Sequence, residues 1–154
     1  MRDLSRFSFG ATSAVTSSLA LMIGLSQLQV SQVGMIGALL VLGLADNIAD
    51  ALGMHIYSES KTKSHSRLNT ATNYLTRLGI TLLMAALVIF LPFPYALTAS
   101  IIAGLLVIAL LSYFIAKEHG VDARRAVAEH LAVTVGVLVV SQLVGASIRA
   151  AFPG

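Results

Sequence analysis

The sequence predicts an all-α polytopic membrane protein, a bundle of five transmembrane helices with its N-terminus in the cytoplasm. Three observations carry that reading. The 154 residues are 56% hydrophobic and only 11% charged, with a mean hydropathy of +0.85, whereas a soluble domain carries about 25% charged residues. The apolar residues gather in five segments near the roughly 20 residues that cross a bilayer. Lys and Arg cluster before the first segment and in alternate connections, the pattern that the positive-inside rule gives for an odd number of spans.

The first span is expected at about 9–28. The residues before it carry Arg2 and Arg6 and show no cleavage pattern, so the segment reads as a retained span rather than a signal peptide. The second covers about 33–57 and contains the run Gly43-Leu44-Ala45-Asp46-Asn47-Ile48-Ala49-Asp50-Ala51-Leu52-Gly53-Met54. The third is expected at 73–91, its apolar part starting at Leu78, and the Pro92-Phe93-Pro94 turn leads to the fourth at 95–116. The fifth covers 127–148.

Lys61, Lys63, Arg67 and Arg77 are assigned to the connection between spans two and three, and Lys117, Arg124 and Arg125 to that between four and five. Stretches 26–32 and 92–94 carry no charge, and only Arg149 follows span five. The C-terminus is therefore expected on the side opposite the cytoplasm. No linker or charge block divides the chain, which predicts a single transmembrane domain over 1–154. The net charge of +3 is spent on orientation, and no nucleic-acid partner is expected. With no cysteine, disulfides and thiolate metal sites are excluded.

The acids of span two are the feature that calls for a function. Asp46, Asp50 and Met54 recur every four residues, which brings them to one helix face, with Asp46 about 20 Å from the start of the span at 1.5 Å per residue and Met54 close to the cytoplasmic interface. A carboxylate inside a bilayer is expensive and marks an ion or proton pathway by default. The assignment of Arg77, Arg125 and Arg149 to span ends leaves no Lys or Arg within an apolar span, which makes a salt bridge a poor explanation for both acids. The thioether of Met54 beside carboxylates favours a transition metal over calcium or magnesium.

Asn47 offers an amide as oxygen ligand or as interhelical glue. Span one begins with Thr12, Ser13, Thr16, Ser17 and Ser18. Its hydroxyls can face span two and extend a hydrophilic pathway, or bond back to their own helix. Ala45, Ala49 and Gly53 form a small-residue series suited to close helix packing. His55 and Glu59, one turn apart with His65 following, form a weak candidate metal pair or a solvated helix end. Glu118, His119, Asp122, Glu129 and His130 surround the start of span five, where Arg125 and Glu129 are spaced for an ion pair. No nucleophile–His–acid set, phosphate loop or paired metal motif is present, so neither an enzyme nor a resident cofactor is expected.

The run from Gly43 to Met54 resembles the second-helix signature of the vacuolar iron transporter-like family, roughly G-L-A-N-x-x-A-D-G-L-S-M. Phe9-Gly10-Ala11-Thr12-Ser13-Ala14-Val15-Thr16 looks like its first-helix start, and Arg124-Arg125-Ala126 like the approach to its last helix. The resemblance implies a five-helix homodimer that moves ferrous iron or manganese out of the cytosol, with protons in exchange. Asp50 and Met54 match the family's pathway aspartate and methionine. Ser13 stands where the family has a first-helix aspartate, Asp46 where it more often has asparagine, and Glu59 is the nearest acid to the family's glutamate after the methionine. The family's glutamate-rich segment between helices two and three is absent, so the chain looks like a minimal or divergent member.

The sequence thus predicts a transporter of a divalent transition metal, with Asp46, Asp50, Met54, Asn47, Ser13 and Glu59 as candidate ligands and lipid, metal, protons and a second copy as partners. The alternatives are a proton or cation channel, and a non-transporting membrane scaffold whose aspartates are structural.

Overall fold

The computed structural model describes residues 5–61 and 66–152, with the backbone alone for 5, 6, 54, 57–61 and 66–69. All regular structure among the described residues is helical: α1 (Ser5–Gln27), α2 (Gln32–Val41), a π-helical turn (Leu42–Asp46), α3 (Asn47–Lys61), α4 (Ser66–Phe90), α5 (Phe93–Glu118) and α6 (Ala123–Ala151). Five stretches are long and apolar enough to cross a membrane: Phe7–Gln27, Gln32–Gly53, Thr70–Phe90, Phe93–Glu118 and Ala123–Ala151. The second is α2, the π turn and the start of α3 read as one interrupted helix. Leu44, Ile48, Leu52, Leu82, Phe90, Ile102, Leu106, Val133, Val140 and Leu143 lie on the outside. Water would penalise so much exposed apolar surface and a bilayer does not, so the chain is an integral membrane protein.

The connections follow local chemistry. Gly120 takes a left-handed φ of 69°, and the amides of Gly120 and Val121 bond back to Lys117 and Ala116 carbonyls. This closes α5 as a Schellman turn, where glycine avoids the Cβ penalty. Asp122 then caps α6 by accepting from the Arg124 and Arg125 amides. Pro92 precedes α5 and Pro94 falls in its first turn, where the missing N–H is harmless. Gln32, at the start of α2, donates its side-chain amide to the Val88 carbonyl at 2.6 Å, so the opening of span two is tied to the end of α4.

Helix α1 is the hub. It packs against α2, α4, α5 and α6 and buries Ala11, Ala14, Val15, Ser18, Leu19, Met22 and Ile23. The small residues Ala96, Ser100, Gly104 and Ser112 repeat every four positions or multiples of four along the buried face of α5. At Gly104 an added Cβ would sit 2.7 Å from Leu19 Cδ1 and 2.9 Å from Val15 Cγ1, so a side chain there would have to displace Leu19 and Val15 of α1. Span two rests mainly on α4, which leaves much of its surface at the edge of the bundle.

Helices α1 and α6 approach closely at Gly145. A Cβ at Gly145 would lie 2.4 Å from the Gly24 carbonyl oxygen and 2.8 Å from Gln27 Cβ. Neither atom is the end of a flexible side chain, so Gly145→Ala must push the helices apart. The expected loss is about 1–3 kcal/mol, the usual range for overpacking. Gly136, on the opposite, exposed face of the same helix with open space at its Cβ position, should tolerate alanine or gain up to about 1 kcal/mol from helix propensity. Thermal unfolding of both variants in detergent checks the contrast.

Candidate functional site

Span two turns one row of residues toward the bundle: Met35, Leu39, Gly43 and Asn47 are all buried. A spacing of four advances about 40° per step around an ideal α-helix, so such a row should drift off the interface. The π turn at Leu42–Asp46 carries i→i+5 bonding, which widens the helix and takes up part of that drift. It keeps Asn47 in line with Gly43 and sets Asp46 and Asp50 beside it. At Gly43 an added Cβ would meet Thr81 Cγ2 at 3.0 Å, so bare backbone lets α4 come close just where the π turn lies.

The residue that α4 presents there is Arg77. It is 2% exposed and among the largest fully buried side chains of the molecule. The guanidinium has five N–H donors, and their partners come from two spans. Nε donates to Asn47 Oδ1 at 2.7 Å, and Nη2 donates to Asp46 Oδ2 at 2.7 Å. Nη1 lies 2.7 Å from Asp50 Oδ2 and also donates to Ser13 Oγ of α1. Asn47 is itself held by a 2.7 Å bond from Nδ2 to the Gly43 carbonyl, an acceptor within the π turn.

This geometry overturns one premise of the sequence reading. Arg77 is no loop charge at a span end: it lies inside the Thr70–Phe90 stretch, seven residues or about 10 Å from its start, and is the counter-ion of both aspartates. A salt bridge therefore does account for the two acids sharing one face. The signal was present in the eight uncharged residues from Asn69 to Thr76, which continue the helix ahead of Arg77. Their hydropathy is too low to mark them as a span.

The site is a three-charge cluster with a formal charge of −1 when both acids are ionised. Its cation is sealed inside, while its anions are not. The Asp46 and Asp50 side chains are 46% and 41% exposed, on an edge flanked by the outward-facing Leu44 and Ile48.

Of the six candidate ligands, the fold brings four together: Ser13, Asp46, Asn47 and Asp50. Met54 and Glu59 follow on α3, but their side chains lie outside the described residues, as does His65. The hydroxyls of span one divide. Ser13 reaches Arg77, whereas Thr12, Thr16 and Ser17 line, with Ser13 and Val137, a cleft of about 420 Å³ toward α6 and do not face span two as a group. Ser17 bonds back to the Ser13 carbonyl. Ala45, Ala49 and Gly53 are exposed rather than packed within the chain.

The polar residues near the start of α6 have local structural partners. Asp122 is a cap, Arg125 pairs with Glu129 at 2.8 Å, His119 bonds the Ile115 carbonyl, and His130 Nδ1 lies 2.8 Å from Ser112 Oγ.

Removing the guanidinium strands two anions, so Arg77→Met should destabilise the protein by about 3 kcal/mol, the low end for breaking a buried pair because both carboxylates are partly exposed. Adding Asp46→Asn and Asp50→Asn to that variant should restore most of the loss. Chemical unfolding of the single and triple variants in micelles measures both.

Comparison with family models, curated proteins and solved structures gives no match to this chain, so its function has to be argued from the chemistry of the Arg77 cluster.

Proposed function

We propose that the chain transports a cation across the membrane, with Asp46 and Asp50 as the binding carboxylates and Arg77 as a tethered cation that occupies them between turnovers. The observation that carries this reading is the asymmetry of the cluster: a guanidinium buried at 2% exposure bridges two carboxylates that are each nearly half exposed. Ionisable groups in a bilayer mark ion pathways by default, and here the anions, not the cation, form the exposed end of the cluster. An arriving cation competes with Arg77 for oxygens that are never left as two bare charges in a low dielectric.

A divalent ion suits the arithmetic of charge. Two carboxylates neutralise it, and proton uptake or the return of Arg77 resets the site once it leaves. The resemblance of the Gly43–Met54 run to the iron transporter-like signature narrows the proposed cargo to ferrous iron or manganese. It adds Met54 and Glu59 as proposed ligands, a homodimer as the proposed assembly, and export from a cytosol that faces the basic connections. A second reading has its own support. Arg77 ties α1 to span two through Ser13, Asn47 and both aspartates, which is also what a purely structural staple would do.

Flux separates the two. Purified protein in liposomes should show saturable Mn²⁺ or Fe²⁺ uptake accompanied by proton movement. Asp46→Asn with Asp50→Asn should reduce it about tenfold or more, the equivalent of 1.4 kcal/mol in binding. Undiminished flux in that double variant overturns the carboxylate pathway. No flux from the wild-type protein, with the stability pattern of the Arg77 variants intact, establishes the staple. Currents that follow pH with no competition between metals identify a proton channel.

A further inference from the structure

One turn before Arg77 on α4, Asn73 is 1% exposed, and neither its Oδ1 nor its Nδ2 has a hydrogen-bond partner. An unsatisfied buried polar group costs about 1–3 kcal/mol, and a carboxamide carries two. Close packing against α1 holds it there. A Cβ at Gly10 of α1 would sit 2.6 Å from Asn73 Oδ1, 3.0 Å from the Asn73 carbonyl and 3.4 Å from Arg77 Cγ. A single point on α1 thus touches both the orphaned amide and the root of the arginine side chain. Only glycine leaves room for them side by side.

We infer that Asn73 is the second seat of the Arg77 guanidinium, the acceptor it takes when Asp46 and Asp50 are neutralised by a cation or by protons. Long helix side chains lean back over the residue four positions earlier, so Asn73 lies under the path of Arg77 and needs no helix movement to be reached. In the described arrangement the guanidinium is drawn to the two anions of span two. When those charges are cancelled, the guanidinium keeps Asn47 and Ser13 but loses both anions, and the unpaired Oδ1 of Asn73, which flanks the same point on α1 as Arg77 Cγ, offers a further acceptor. The resting cost of the unpaired amide is then the driving force that makes release of the acids feasible. Asn73 acts as a positioning residue, through Arg77, and deepens the transport reading of the same site.

The test needs no transport. Asn73→Ala is made in the wild-type chain and in the Asp46→Asn/Asp50→Asn chain, whose site is permanently neutral, and the folding equilibrium of all four proteins is measured in micelles. In the wild-type background the substitution should be neutral or stabilising, because it removes two unpaired groups. In the neutral background it should lower the folding constant about tenfold or more, the scale of a hydrogen bond to a charged group. Asn73→Ser, which keeps an acceptor oxygen, should recover part of that loss. Equal effects of Asn73→Ala in the two backgrounds overturn the inference. If the double substitution fails to fold, Asp50→Asn alone serves as the neutralised background, since it removes one of the two anions, and the same criterion applies. Background dependence with no metal flux from the wild-type protein would keep the second seat and refute transport; flux without background dependence would do the reverse.

Discussion

A guanidinium that never deprotonates sits inside a stretch apolar enough to cross a membrane, and half of the bundle is arranged to receive it. Water cannot solvate Arg77 there, so the protein supplies the acceptors: an amide oxygen, a hydroxyl and two carboxylates, from α1 and from the interrupted helix of span two. The local peculiarities of span two serve this end. The π turn keeps Asn47 in line with the buried row, Gly43 lets Thr81 approach, and Gly10 lets α1 close over the root of the side chain. Because span two otherwise leans chiefly on α4, the ionic contact is also its main specific attachment, together with the Gln32 amide at the other end.

Ion pairing in a medium of low dielectric does not by itself stabilise a fold, since desolvation of the charges can offset their attraction. The asymmetric burial is therefore the informative property. A staple evolved for stability alone would gain from sealing all three charges or from replacing them with apolar residues. Here the cation is enclosed and the anions reach the edge of the bundle, beside leucine and isoleucine side chains that face lipid or another protein. That places the anionic end of each pair on the outside.

Much of this architecture was legible in the sequence. Five apolar segments, the Pro92 turn and the Arg125–Glu129 pair follow from local rules and appear where those rules put them. The gathering of Asp46 and Asp50 on one face followed from their spacing. The identity of their partner did not, because a hydropathy boundary drawn at Leu78 hid an arginine whose flanking threonines and asparagines are helical but polar. The π turn has no signature in single-residue propensities: it is set by the fit of Gly43 and Asn47 against α4, a tertiary contact. The division of the span-one hydroxyls between Arg77 and the α6 cleft likewise depends on how α1 is rotated, which packing decides.

The salt bridges join helices that are neighbours along the chain, and this bears on how the protein enters a bilayer. The aspartates of span two and the arginine of α4 sit on the two arms of one helical hairpin. Each arm alone would carry uncompensated charge into hydrocarbon, while the hairpin carries a partly cancelled set. Membrane insertion is thereby expected to proceed by paired helices, with the second arm acting as the passport of the first.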